Sequence, residues 1–491
     1  MIKKANPSLY QVNTRVWLTS LSLELGRPAK LDDIPDAELD KLADKGFDWV
    51  WFLSVWKTGL AGRKISRQNR YWQKKDTTQD IPDQDVGGSG FAITGYNVSA
   101  DLGGDAAMAR LRKRLAKRGL KLMLDFVPNH TAIDHPWVNE HPEYFVAGTE
   151  ALSAKEPQNY IMLKRKGGDV IFAHGRDPYF DGWPDTLQLD YSKPATTEAM
   201  IRELEKVAGK CDGVRCDMAM LILPDVFKRT WGVNALPFWP QAIGSVRKSD
   251  PNFCFMAEVY WDMEWTLQQQ GFDYTYDGRL YERLRAGVAR PVREHLGAEP
   301  DYQARLVRFL ENHDEPRTCA VFEPQIHRCA AVIAYSVPGM RFFHQGQLEG
   351  WKEYISPHLI HSPMEPTDAE IKDFYDKLLE ICCMPVLKNG KWQLLSCRPA
   401  WDGNGSYDCF IAHSWQGCDG QRILVAVNYA PHQSQCYLKL PFPEVQNCSV
   451  RLRDLLSCAD YAREGNELLD RGLYLDMEPF SYHVFSLELP S

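Results

Sequence analysis

The sequence predicts a (β/α)₈ barrel with a subdomain inserted after its third strand and an all-β sandwich domain at its C-terminus. Three observations carry that reading. Strand-like apolar runs alternate with helical patterns along most of the chain, as βα units do. About eight such runs occur, the number a closed barrel needs. From about Lys391 the helical patterns stop, and short strands separated by turn residues take over.

Tyr10–Asn13 opens the barrel. A helix from Ile34-Pro35 to Lys45 carries Leu39 and Leu42 on one face, stops at Gly46, and leads into a strand ending at Leu53. Asp105 is placed to cap a helix bearing Met108, Leu111 and Leu115, closed by Gly119. Lys121–Val127 is the third strand. Residues 132–186 are rich in Gly, Pro, His and Asp, with only short strand-like pieces at Tyr160–Leu163 and Val170–Phe172. So long a stretch without barrel helices reads as an inserted subdomain. Alternation resumes with a helix bearing Met200, Leu204 and Val207. Strands follow at Gly213–Met218, Phe253–Val259, Phe272–Asp277, Leu306–Leu310 and Met340–His344. In the last domain, strands are expected at Trp392–Ser396, Tyr407–Ser414, Arg422–Asn428, Gln435–Leu440 and Tyr482–Leu489. The expected division is 1–131 plus 187–390 for the barrel, 132–186 for the insertion and 391–491 for the β domain.

Composition narrows the class of function. With 44% hydrophobic and 25% charged residues, wholesale disorder is excluded. A net charge of −8 without a basic stripe argues against nucleic acid as a partner. Thirteen cysteines without a CxxC pair argue against zinc, and their odd number against a full disulfide framework. No apolar segment follows the first lysines as a signal peptide requires, and no apolar run approaches the roughly 18 residues of a membrane span. A cytoplasmic address is expected. The polar stretch Lys57–Gly90 reads as a solvated loop. Its basic half (Arg63, Lys64, Arg67, Arg70, Lys74, Lys75) offers contact with a phosphate or anionic sugar as the rival reading.

Barrel strands direct their C-terminal ends to one face, so functional groups are expected where strands end. The third strand runs out in Asp125-Phe126-Val127-Pro128-Asn129-His130. The fourth reads Gly213-Val214-Arg215-Cys216-Asp217, where alternation places Arg215 and Asp217 on one face. A guanidinium there favours the charged, nucleophilic carboxylate. The fifth ends with Glu258 in an otherwise apolar run, an environment that raises a carboxyl pKa and suits a general acid. The seventh supplies Glu311-Asn312-His313-Asp314. Two carboxyl groups on adjacent strands are what cleavage of a glycosidic bond requires.

These motifs, in this order on these strands, resemble those of the α-amylase family of glycoside hydrolases, from about Tyr10 to Gln347. Leu187-Gln188-Leu189-Asp190 is similar to a further, weaker family motif, and Gly95-Tyr96 with Asp101 to the segment before the third strand. The resemblance implies a retaining mechanism through a covalent glycosyl-enzyme. Asp217 would be the nucleophile, Glu258 the acid/base, and Asp314 a binder of sugar hydroxyls that stabilises the transition state. Arg215 would orient Asp217, His130 and His313 would hydrogen-bond the sugar, Tyr96 would stack beneath it, and Asp125 would complete the substrate-binding set. No cofactor is implied beyond a structural calcium, for which Asn129 matches a ligand. Met220, Leu221 and Thr94 depart from the family pattern, which has Lys-His and His there. The implied substrates are α-1,4-glucans or short α-glucosides, cleaved by water. Transglycosylase, isomerase or phosphorylase activity, with a sugar or phosphate intercepting the intermediate, is the alternative. An inactive relative serving as a scaffold is a third reading.

Overall fold

The computed structural model describes residues 6–69, 82–165 and 167–489. Eight parallel strands close into a barrel: Ser8–Asn13, Trp49–Leu53, Lys121–Phe126, Gly213–Cys216, Cys254–Ala257, Tyr274–Tyr276, Leu306–Arg308 and Met340–His344. The first strand pairs with both the second and the eighth, which seals the ring. All are buried along their length apart from the first residue of the third, because helices cover their outer faces. Helices such as Gly104–Ala116 and Pro194–Ala208 turn an apolar stripe to the barrel: Met108, Leu111 and Leu115 in one, Met200, Leu204 and Val207 in the other.

Two local expectations are corrected. Asp105 lies inside the first turn of its helix, and Gly103 holds the cap position in the left-handed region at φ 103°. The Asp105 carboxylate instead accepts from Val98 N (2.9 Å) and Lys210 Nζ (2.7 Å). The basic stretch is not a plain loop: Trp56–Thr58 pairs with Ile93–Val98, and Leu60–Gln68 is a helix carrying Arg63, Lys64 and Arg67. Arg70, Lys74 and Lys75 lie outside the described residues.

The segment after the third strand contains the hairpin Tyr160–Leu163/Val170–Ala173. A short pairing of His130–Ala132 with Thr186–Gln188 brings the chain back. Beyond residue 390, a six-stranded antiparallel sheet faces a three-stranded one. Alternation in Arg422–Asn428 shows how the larger sheet serves two cores. Ile423, Val425 and Val427 pack with the barrel core, whereas Leu424 and Ala426 pack between the sheets. Strands at Ser449–Asp454, Asp460–Glu464 and Leu473–Met477 go beyond those expected from sequence.

Candidate active site

Register creates the site. Cys216 stands opposite both Phe126 and Ala257, so the next residues, Asp217 and Glu258, leave neighbouring strand ends at one height. Asp217 N donates to Phe126 O (2.8 Å) and Glu258 N to Cys216 O (3.0 Å), continuing the ladders by one residue. Arg215, fully buried, directs its guanidinium between them. Nη1 donates to Asp217 Oδ1 at 2.6 Å, and Nη2 stands 2.8 Å from Glu258 Oε2 and 4.0 Å from Asp314 Oδ2. Rings of Trp51 and Phe91 lie 5.3 and 5.2 Å from the guanidinium carbon. Their faces attract the cation and keep water from screening it.

A strained turn aims at Glu258. Met218, directly after Asp217, adopts the left-handed conformation (φ 41°, ψ 47°), which costs a non-glycine residue about 1–3 kcal/mol. Its N–H thereby donates to Glu258 Oε2 at 2.6 Å, while Tyr260 donates its hydroxyl to Oε1 at 3.2 Å. Burial pushes the Glu258 carboxyl up. Arg215 opposes that, the charges of Asp217 and Asp314 add to it, and the outcome is about 7. Asp314 is presented by a turn in which Asn312 Oδ1 accepts from the N–H groups of Asp314 and Glu315 (2.8 and 3.0 Å). Its carboxylate stands 3.0 Å from His313 Nε2, and His313 Nδ1 meets Gln11 Nε2 at 2.9 Å.

Asp217, Glu258, Asp314 and His130 share the wall of a cavity of about 540 Å³, within the usual size of small-molecule sites. Arg215, His313 and Asp125 stand behind that wall. Asp125 accepts from Trp51 Nε1 (3.1 Å) and Ser54 N (3.0 Å), and burial pushes its carboxyl up to about 6 despite Arg215. Tyr96 is not where a ring stacked under the sugar would be. Its hydroxyl is held by Val127 O and N (both 3.0 Å), its ring packs on Trp56 and Phe126, and it borders a separate depression of about 170 Å³. Met220 and Leu221, at the positions of the family's Lys-His, are buried apolar side chains.

Other wall residues escaped the sequence reading. Tyr260 follows Glu258 by two, a spacing that strand alternation could have flagged. Phe91, whose ring is 5.5 Å from that of His313, carried no such signal. The segment between the third and fourth strands contributes Phe180, Trp183 and Asp185. Asp185 is 2% exposed, its Oδ2 has no hydrogen-bond partner among the described residues, and burial pushes its carboxyl up to about 7.

The implied calcium does not fit. Gln188 Nε2 donates to Asn129 O (2.9 Å), Asn129 Oδ1 (3.0 Å) and Leu189 O (3.1 Å). An amide nitrogen thus occupies the space among the oxygens a cation would need. Among the described residues, no group of three or more His, Cys, Asp or Glu side chains is arranged to hold a metal.

Known proteins resemble this chain in sequence and in fold. The sequence profile of the α-amylase catalytic domain matches residues 65–279. Alpha-amylase 3 of Dictyoglomus thermophilum is 23% identical over 308 residues, covering 57% of each protein. An alpha-1,4-glucan:maltose-1-phosphate maltosyltransferase of Burkholderia pseudomallei is 26% identical over 376 residues, covering 72% of this chain and 28% of the relative. The chain therefore spans less than two thirds of the length of these curated relatives. Among solved structures, a noncanonic maltogenic alpha-amylase, AmyB from Thermotoga neapolitana, superposes over 98% of both chains with a TM-score of 0.70 at 20% identity. The profile match, the relatives and the barrel all liken this chain to the α-amylase family.

Proposed function

We propose that the protein is a retaining enzyme acting on α-glucosidic bonds, with Asp217 as nucleophile and Glu258 as acid/base. The observation that carries this reading is one buried guanidinium gripped by both carboxylates, one at each terminal nitrogen. A guanidinium shared in this way holds both carboxylates within reach of one glycosidic bond, as attack by one and protonation by the other require. Arg215 holds Asp217 Oδ1, and Oδ2 attacks the anomeric carbon. Glu258, still protonated near neutrality, gives its proton to the departing glycosidic oxygen. Deprotonated, it then takes a proton from the incoming acceptor, whose oxygen displaces Asp217 and restores the carboxylate. Asp314 and His130 hydrogen-bond the sugar hydroxyls between these steps.

Water is the acceptor in this reading. Transfer to a sugar is the second, and the wall beside Glu258 favours it: Phe180, Trp183, Met218 and Tyr260 offer ring faces and apolar surface to a second sugar. The maltosyltransferase relatives point the same way. We assign the barrel to 1–131 and 187–390, the insertion to 132–186 and the β domain to 391–491. The insertion then supplies the leaving-group wall. We assign a cytoplasmic setting on the thirteen cysteines, all free thiols, which suit a reducing compartment. Among the described residues, no helix is long and apolar enough to cross a membrane.

The test is covalent trapping. A 5-fluoro-α-glucosyl fluoride is expected to inactivate the enzyme with time and to leave its sugar on the peptide containing Asp217. A label on another residue, or none while turnover of an α-glucoside continues, removes Asp217 from its role.

A further inference from the structure

The glycone side of the cavity is stitched shut. If Glu258 protonates the leaving group, that group lies among Met218, Tyr260 and Phe180, and the glycone lies toward Asp314 and His313. On that side the wall comes from two segments: Ser89 and Phe91 after the second strand, and Tyr354, Ser356, Pro357 and His358 after the eighth. Far apart in sequence, they are joined backbone to backbone. Gly87 N and Gly88 N both donate to His358 O (2.8 and 3.1 Å), Ile360 N donates to Asp85 O (2.9 Å), and Val86 bridges Leu359 in antiparallel fashion. The approach is so close that a Cβ on residue 87 would stand 2.4 Å from Ile360 Cγ2.

Both edges of this seam are anchored. Half-buried Arg15 donates from Nη1 to Gly88 O (2.9 Å) and from Nε to Ser54 O (3.1 Å), tying the first segment to the second strand's end. Arg317 donates to Gln345 O (2.7 Å) and Glu353 O (3.1 Å), and Ser66 Oγ meets His358 Nδ1 at 2.8 Å. Inside the seam, Phe91 packs against His313 and Arg215, so its ring fills that end of the cavity wall. The cavity's 540 Å³ must also hold the leaving group.

We infer that the site is a blind pocket for one terminal α-glucosyl unit. The enzyme takes short α-glucosides or the non-reducing ends of glucans, and not the interior of a chain. This rests on the α-glucoside reading above and adds its substrate class.

Fluoride release from α-glucosyl, α-maltosyl and α-maltotriosyl fluorides tests it. Fluoride is too small to draw on the leaving-group wall, so the three differ only in glycone length. The glucosyl compound is expected to exceed the other two in kcat/KM by about tenfold or more. A smaller ratio, or preference for a longer glycone, overturns the blind pocket while leaving the α-glucoside reading standing. Release from none of them above the Asp217→Asn background removes both. Gly87→Pro deletes one donor to His358 O, and a folded variant is expected to narrow the ratio. An unchanged ratio in that variant overturns the seam as the stop.

Discussion

Two buried arginine–carboxylate clusters in this barrel look alike in composition and differ in balance. After the sixth and seventh strands, Arg308 faces one carboxylate, Asp277, which also meets His295 Nε2 at 2.9 Å. Its remaining donors go to Pro338 O (2.9 Å), Gln303 O (3.2 Å) and Gln303 Oε1. Burial pushes Asp277 up, yet His295 and Arg308 outweigh it and hold the carboxyl at about 2. After the fourth and fifth strands, Arg215 is shared by Asp217, Glu258 and, more distantly, Asp314, and Glu258 is left at about 7. A cluster whose charges are matched and shut from water stabilises a fold. One with surplus carboxylates, opening on a cavity, is poised to move a proton.

The comparison breaks most visibly if the wrong cluster is essential for turnover. Asp217→Asn is expected to lower kcat by roughly 10³-fold or more with the melting temperature unchanged, read by fluoride release and calorimetry. Arg308→Met is expected to do the reverse. It strands the Asp277 carboxylate and costs about 3–5 kcal/mol of stability, while folded molecules keep their specific activity. Denaturant titration together with active-site titration checks both halves.

pH separates the clusters more finely. As the proposed acid, Glu258 has to be protonated first, so kcat/KM is expected to fall as pH rises through about 7. Asp277 and Glu311 are both held at about 2 in the folded state, Glu311 because Arg317 and His344 outweigh burial. Depressed carboxyl values give stability that is complete above the unfolded range near 4 and lost as pH falls through about 2. Melting temperature should therefore be insensitive to these groups across the pH range in which the rate changes, and fall in acid. A melting temperature that does not fall between about pH 4 and pH 2 would erase the distinction.

The smallest expected effect concerns the amide between Asn129 and Leu189. Because Gln188 fills that space, chelator or added calcium should move the melting temperature by less than about 1 °C. A larger chelator-induced drop would show a cation held there after all.

The barrel and its carboxylates were legible because their signals are local. Period-two apolar runs, helix stops at residues such as Gly46, and acidic residues one step beyond an apolar strand need no distant partner to be read. Arg215 beside Asp217 follows from alternation alone. Asp105 misled because a cap and a first-turn acid look alike in sequence, and Gly103 took the cap through a positive φ. The strand Asp460–Glu464 is exposed throughout, so no apolar pattern announced it.

What the sequence by itself determined is which side chains face the barrel mouth, since a strand's two-residue repeat leaves them no other choice. What only the tertiary structure decided is what surrounds them. Val127 claims the Tyr96 hydroxyl, Gln188 occupies the oxygens at Asn129, and Gly87 meets His358 at one end of the cavity. Each of these depends on backbone groups brought together by barrel closure, and a hydrogen bond between distant segments leaves no periodicity in either.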